Sequence, residues 1–269
     1  MEPSIPWHDL LGIICTDFLA LAPFAIEAEK DLSLRKQMLD LVIVRKSDEP
    51  FTDRLPDGLD NLARHNLITF KSFQETLDVW AVKELLAHSV NYRKQVSPST
   101  KDLILESEFR LYALCARFPR ELAAAVPLVP VQPGVYECRC LTDVVRVIVL
   151  HQLPLAEHNA LLLLFSALPE QVRYAAAHYR RRSPETSTLL DLLFTRYREE
   201  GVDMGMTMEE FRKHYLRYNL KDLTPKERLE GLTPEERLKG LSQEEIENYL
   251  KRLKNGSPPA SAPGSEGSA

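Results

Sequence analysis

Asp40 stands inside the apolar run Met38 to Val44 (MLDLVIV), and Lys71 closes a second run, Leu67 to Lys71 (LITFK). A carboxylate in such a run is costly unless it is paired, hydrogen-bonded or bound to a metal. Thr69 comes two residues before Lys71, so on a strand the two side chains share a face. If the two runs are neighbouring strands, Asp40 and Lys71 point to the same side of the sheet. An Asp on one strand facing an acid-x-Lys on the next is an arrangement for metal-assisted phosphodiester hydrolysis. Carboxylates hold Mg²⁺ through hard oxygens. The metal polarises the phosphate and generates hydroxide, and the lysine neutralises charge growing on the phosphoryl oxygens. On these two residues alone, an ion pair between neighbouring strands accounts for them at least as well.

The position two before the lysine is Thr69, and a hydroxyl is a poor Mg²⁺ ligand beside a carboxylate. A second acid would have to come from elsewhere. Glu75, one turn beyond Lys71 on the following helix with Gln74 beside it, is one source; Glu27 or Glu29 on the preceding strand is another. Each has a plainer reading. Glu27 and Glu29 alternate with Ile26 and Ala28 as a solvated strand face would, Glu75 suits an exposed helix face, and Gln74 suits a backbone cap. Further along, His178-Tyr179-Arg180-Arg181-Arg182, with Arg173 upstream, makes a basic patch bearing an aromatic ring. Such a patch can contact phosphates, although a solvated helix end is the commoner origin of such a run.

The elements that must position these residues follow from pattern. Trp7 to Leu21 has helical character and stops before Pro23. Strands are expected at Phe24 to Ala28, Met38 to Val44 and Leu67 to Lys71, with a polar loop over 45–64. A long helix is expected from Phe73 to Tyr92, on the spacing of Phe73, Leu77, Trp80, Ala81, Leu85 and His88. A strand follows at Phe109 to Phe118, then a short helix from Pro119 to Ala125. Val135 to Cys140 and Val144 to Leu150 make a hairpin pair. After Pro154 the pattern is helical, at roughly 155–167, 169–180, 186–200 and 207–219. This order suggests an α/β fold with a mixed sheet flanked by helices and a helical C-terminal extension.

The tail carries a nine-residue repeat: Leu223-Thr-Pro-Lys-Glu-Arg-Leu-Glu-Gly231, Leu232-Thr-Pro-Glu-Glu-Arg-Leu-Lys-Gly240 and Leu241-Ser-Gln-Glu-Glu-Ile-Glu-Asn-Tyr249. Each unit offers a Thr or Ser cap with an acid three residues later, the signature of a helix start. Gly231 and Gly240 suit helix ends. Nine residues bury little, so a spacer or a protein-docking arm is the expectation. Residues 255–269 are rich in Gly, Ser, Pro and Ala and are expected to be disordered. The organisation read from the sequence is therefore 1–154, 155–220, 221–254 and 255–269.

The formal net charge is −5, with 44% apolar and 27% charged residues, an ordinary globular balance that still permits a local basic patch. No apolar run reaches the ~20 residues a bilayer demands. Leu10 to Ile26 lacks a basic start and is broken by Asp17, so it reads as a buried helix in a cytoplasmic protein rather than a secretory signal. The cysteines Cys15, Cys115, Cys138 and Cys140 have no zinc-site spacing and read as free thiols; the last two share a strand face. None of the seven histidines has metal-ligand spacing, and no Gly-rich phosphate loop or GxSxG turn occurs.

Several of these residues together resemble a known group. Trp7-His8-Asp9 opens the first helix, Asp40 sits in MLDLVIV and Lys71 in LITFKSFQE; with them go the run HNLITFKSFQETLDVWAVKELLAHSVNYRKQ and the LTPEERL repeats. The chain resembles the PD-(D/E)XK nuclease superfamily over roughly residues 1–150, and within it the recombination-promoting nuclease/putative transposase group. The resemblance implies a restriction-endonuclease-like α/β core and Mg²⁺- or Mn²⁺-dependent cleavage of DNA. It casts Asp40 as metal ligand and Lys71 as catalytic lysine. The family pattern has Asp or Glu where this chain has Thr69, so the resemblance also admits a catalytically degenerate protein that binds or scaffolds.

Overall fold

The computed structural model describes residues 6–31, 38–180 and 189–202, and beyond them 209, 210, 213, 229, 233–239 and 241–254; the side chains at 28–31, 189 and 252–254 are not among those described. The chain divides into two compact units, Met1–Asn219 and Leu220–Ala269.

In the first unit the order is α1 (Trp7–Phe18), β1 (Phe24–Asp31), β2 (Met38–Arg45), β3 (His65–Lys71), α2 (Val79–Val96), β4 (Phe109–Cys115), α3 (Arg120–Ala125), β5 (Leu128–Gln132), β6 (Val135–Cys140) and β7 (Asp143–Val149). It continues with α4 (Ala160–Leu163), α5 (Pro169–His178) and α6 (Leu189–Glu199). The strands form one sheet in the order β1-β2-β3-β4-β7-β6-β5. β1, β2 and β3 are antiparallel neighbours, β3, β4 and β7 run parallel, and β6 and β5 return antiparallel. This is a mixed sheet flanked by helices, as the residue pattern suggests.

Strand alternation splits the core into two layers. Leu41, Ile43, Ile68, Phe70, Tyr112, Leu114 and Ile148 face α1, α4, α5 and α6. Val42, Leu67, Leu111, Ala113, Cys115, Val145 and Val147 face α2 and α3. Helices α4, α5 and α6 complete the first layer within the same unit. Trp7 ties the two ends of this layer together: its ring meets Phe73, Phe165 and Tyr197, and its indole N–H donates to Glu200 at 2.5 Å.

Some expected boundaries move. The helix expected from Phe73 begins at Val79, where the Asp78 side chain accepts the Ala81 N–H at 2.8 Å and caps it. Phe73 and Leu77 are apolar because they pack on the core from a turn, and their spacing imitates a helix. The strand at Phe109 ends at Cys115, three residues before Phe118. Leu128–Gln132 is a strand the pattern did not disclose. Of the helix expected over 207–219 only 209, 210 and 213 are described, and they are helical; the first repeat apart from Leu229, Gly240 and residues 255–269 lie outside the described residues.

The second unit contains α7 (Pro234–Leu238) and α8 (Gln243–Lys254). Both begin as the repeat predicts. Thr233 Oγ1 accepts the Glu236 N–H while Glu236 accepts the Thr233 N–H, and Ser242 exchanges the same two bonds with Glu245. The third repeat does not stop after one turn but runs on as a 12-residue helix.

Candidate functional site

The β2–β3 ladder ends at the pair Leu41–Ile68. One step further Asp40 faces Thr69, and here the side chain takes over from the backbone. Asp40 Oδ2 accepts the Thr69 hydroxyl at 3.0 Å and the Phe70 N–H at 2.7 Å. The carboxylate thereby satisfies a strand donor that backbone pairing no longer reaches. Its other oxygen, Oδ1, lies 3.4 Å from His8 Nε2 in the first turn of α1, and the Asp40 side chain is only 15% exposed. His88, on α2, feels the charges of Glu84 and Asp40, but burial dominates and holds its pKa below the usual histidine value.

Lys71 is the last residue of β3, on the same strand face as Thr69. Its Nζ lies 3.9 Å from Glu75 Oε1. Glu75 is held in place by Ser72, whose N–H and hydroxyl donate to Glu75 Oε2 at 3.1 and 3.0 Å. The segment is a turn, so Glu75 stands before α2 and not on it. The sequence signal for this clamp is Ser72-Phe-Gln-Glu75, the spacing of a capping box, used here without a helix. Gln74 is exposed in the same turn.

The other expected site residues sit elsewhere. Glu27 is paired across from Val42, and its charge acts on His65 and Tyr92, at the beginning of β3 and not at the Lys71 end. The pairs Ala28–Leu41 and Lys30–Leu39 put position 29 opposite Asp40, but the Glu29 side chain is not among those described. Arg180 is exposed just after α5, beside Asp53, Glu157 and His158 in a separate pocket of about 310 Å³; Arg181 and Arg182 lie outside the described residues. His8 is the neighbour of Asp40 that residue spacing alone did not single out.

This donor set does not fit a Mg²⁺ centre. Such an ion needs several hard oxygens free to point at one spot. Asp40 Oδ2 already accepts two hydrogen bonds, Thr69 brings no charge, and Glu75 is turned towards Ser72 and Lys71. Among the described residues, no three His, Cys, Asp or Glu side chains are grouped to hold a metal ion.

A larger cavity of about 470 Å³ lies at the other end of the parallel strands, between Arg93, Arg110, Tyr112 and Arg146. Its arginines are engaged: Arg93 with Glu106 at 2.8 Å, Arg146 with Asp60 and Glu137 at 3.0 Å each. No helix among the described residues is long and apolar enough to cross a membrane. No protein-family model matches the chain, and no curated protein or solved structure is significantly similar to it.

Proposed function

We propose that this chain is a nuclease-fold protein of the PD-(D/E)XK kind that binds DNA at the Lys71 end of its parallel strands, its hydrolytic centre having become a hydrogen-bonded node. One observation carries the reading: the residue standing where a second acid would hold a cation is Thr69, and its hydroxyl donates to Asp40 at 3.0 Å. The kinship is supported by element order. A helix, three antiparallel strands, a second helix and a strand parallel to the third make up the core, with Asp40 on β2 and Lys71 ending β3. Phosphate binding is supported by the position of Lys71 at the carboxyl end of parallel strands, where open α/β sheets bind ligands. The Ala116 N–H donates to the Lys71 carbonyl at 3.1 Å, so the exposed Arg117 leaves β4 beside it.

A second reading is favoured by the Lys71–Glu75 distance of 3.9 Å: Glu75 swings in as the missing acid and the protein is a Mg²⁺- or Mn²⁺-dependent DNA endonuclease. The two part in one experiment. Duplex DNA binding is followed by fluorescence anisotropy across a salt series, and nicking of supercoiled plasmid is followed with Mg²⁺ and Mn²⁺. On the first reading the wild type binds and leaves the plasmid intact, and Lys71→Ala lowers the salt slope by about 1. Metal-dependent nicking lost in both Asp40→Ala and Glu75→Gln establishes the second reading instead.

A further inference from the structure

Helix α8 carries an apolar stripe that the described residues leave largely exposed. Tyr249 and Leu250 are 55% and 49% exposed, Ile246 is half-buried, and position 253, a Leu, continues the same face by its spacing. Positions 246, 249, 250 and 253 follow the spacing of an amphipathic helix that packs against another element. A 12-residue helix is marginal in water without such packing. Its charges are also divided by halves: Glu244, Glu245 and Glu247 precede the stripe's centre, and Lys251, Arg252 and Lys254 follow it. Acids first and bases last suit the helix dipole, but the dipole does not account for the stripe. Set beside a parallel copy of itself, the helix would place acids against acids. Set beside an antiparallel copy, it places each acidic half against a basic half, and flanking charges of this kind set helix orientation.

We propose that α8 is a self-association element, pairing antiparallel with α8 of a second copy of this chain about an axis near Leu250. In that register position 246 lies opposite position 253 of the other copy, and position 247 opposite its position 254.

The full chain is tested by light scattering coupled to size exclusion over a concentration series. The expected result is a concentration-dependent species of twice the 30.7 kDa chain mass, lost in Leu250→Glu. Because that variant can simply melt the helix, a charge exchange accompanies it. One chain carries Glu244→Lys, Glu245→Lys and Glu247→Lys; the other carries Lys251→Glu, Arg252→Glu and Lys254→Glu. Each alone is expected to be monomeric, and an equimolar mixture to restore the dimer. A chain that stays monomeric at every concentration overturns the proposal, as does a dimer indifferent to these changes. Failure of the mixture to associate overturns the charge-matched pairing.

Discussion

At the scale of single residues, Asp40 is a structural carboxylate before it is anything else. It closes the end of the β2–β3 ladder by accepting from Thr69 and Phe70. Removing it leaves a partly buried backbone donor unsatisfied, so Asp40→Ala is expected to cost about 2 kcal/mol in urea unfolding. Thr69→Val, which removes one donor and keeps the shape, is expected to cost about 1 kcal/mol. Because the two side chains share one bond, the double variant should lose less than the sum, and strict additivity would show that they act independently. Two local facts were legible, an acid in a β-branched run and a lysine two residues past Thr69; that the two runs are neighbours stood as a condition, which the β2–β3 ladder meets. The partners of each were not legible. His8 reaches Asp40 from a helix 32 positions away, and neither periodicity nor spacing announces such a contact.

At the scale of elements, strong local patterns survived and compensated ones did not. MLDLVIV and LITFK became β2 and β3 because Leu41 and Ile43 face one core and Val42 the other, as Ile68 and Phe70 face one and Leu67 the other. The start of α2 was misplaced because Phe73 and Leu77 are buried from a turn, while the true signal was Asp78, the residue that caps the helix. Asp78→Ala is expected to cost about 1 kcal/mol by thermal or urea unfolding, and no loss would mean that packing alone fixes the helix start. β5 escaped because LVPVQ is short and contains Pro130, which an edge strand tolerates and a central strand does not. The packing of α4, α5 and α6 against the sheet depends on long-range burial of Leu161, Val172 and Leu193, which their sequence allows but does not specify. In the second unit the caps were legible, because a cap is a bond between residues three apart.

At the scale of the whole molecule, one buried and two half-buried imidazoles are expected to give the fold a pH dependence. Burial lowers the pKa of His65, His88 and His151 against opposing contributions from nearby acids or, for His151, from the Ser166 carbonyl. In the unfolded chain these groups take up protons below about 6.5. Between that value and the lower folded pKa values the unfolded state binds more protons, so stability falls as the pH drops through this window. Asp57 behaves oppositely in position. Burial pushes its pKa up, but the hydrogen bonds from Asn159 and His158 and the charges of His158 and Arg54 outweigh it and hold the pKa low. Its contribution is therefore intact above the ordinary carboxylate range and is lost only at more acid pH, as the folded pKa is crossed. The expected melting temperature declines from neutral pH towards pH ~5.5, and His65→Phe, stacked on Phe109, should flatten that decline; an unchanged slope would remove His65 as a source. The central claim, that Thr69 turns a hydrolytic centre into a hydrogen-bonded node, is tested most directly by Thr69→Glu in a supercoiled-plasmid assay with Mn²⁺. The account expects an intact plasmid with the wild type and nicking with Thr69→Glu that disappears when Asp40→Ala is added. Wild-type nicking as fast as that of Thr69→Glu would contradict it.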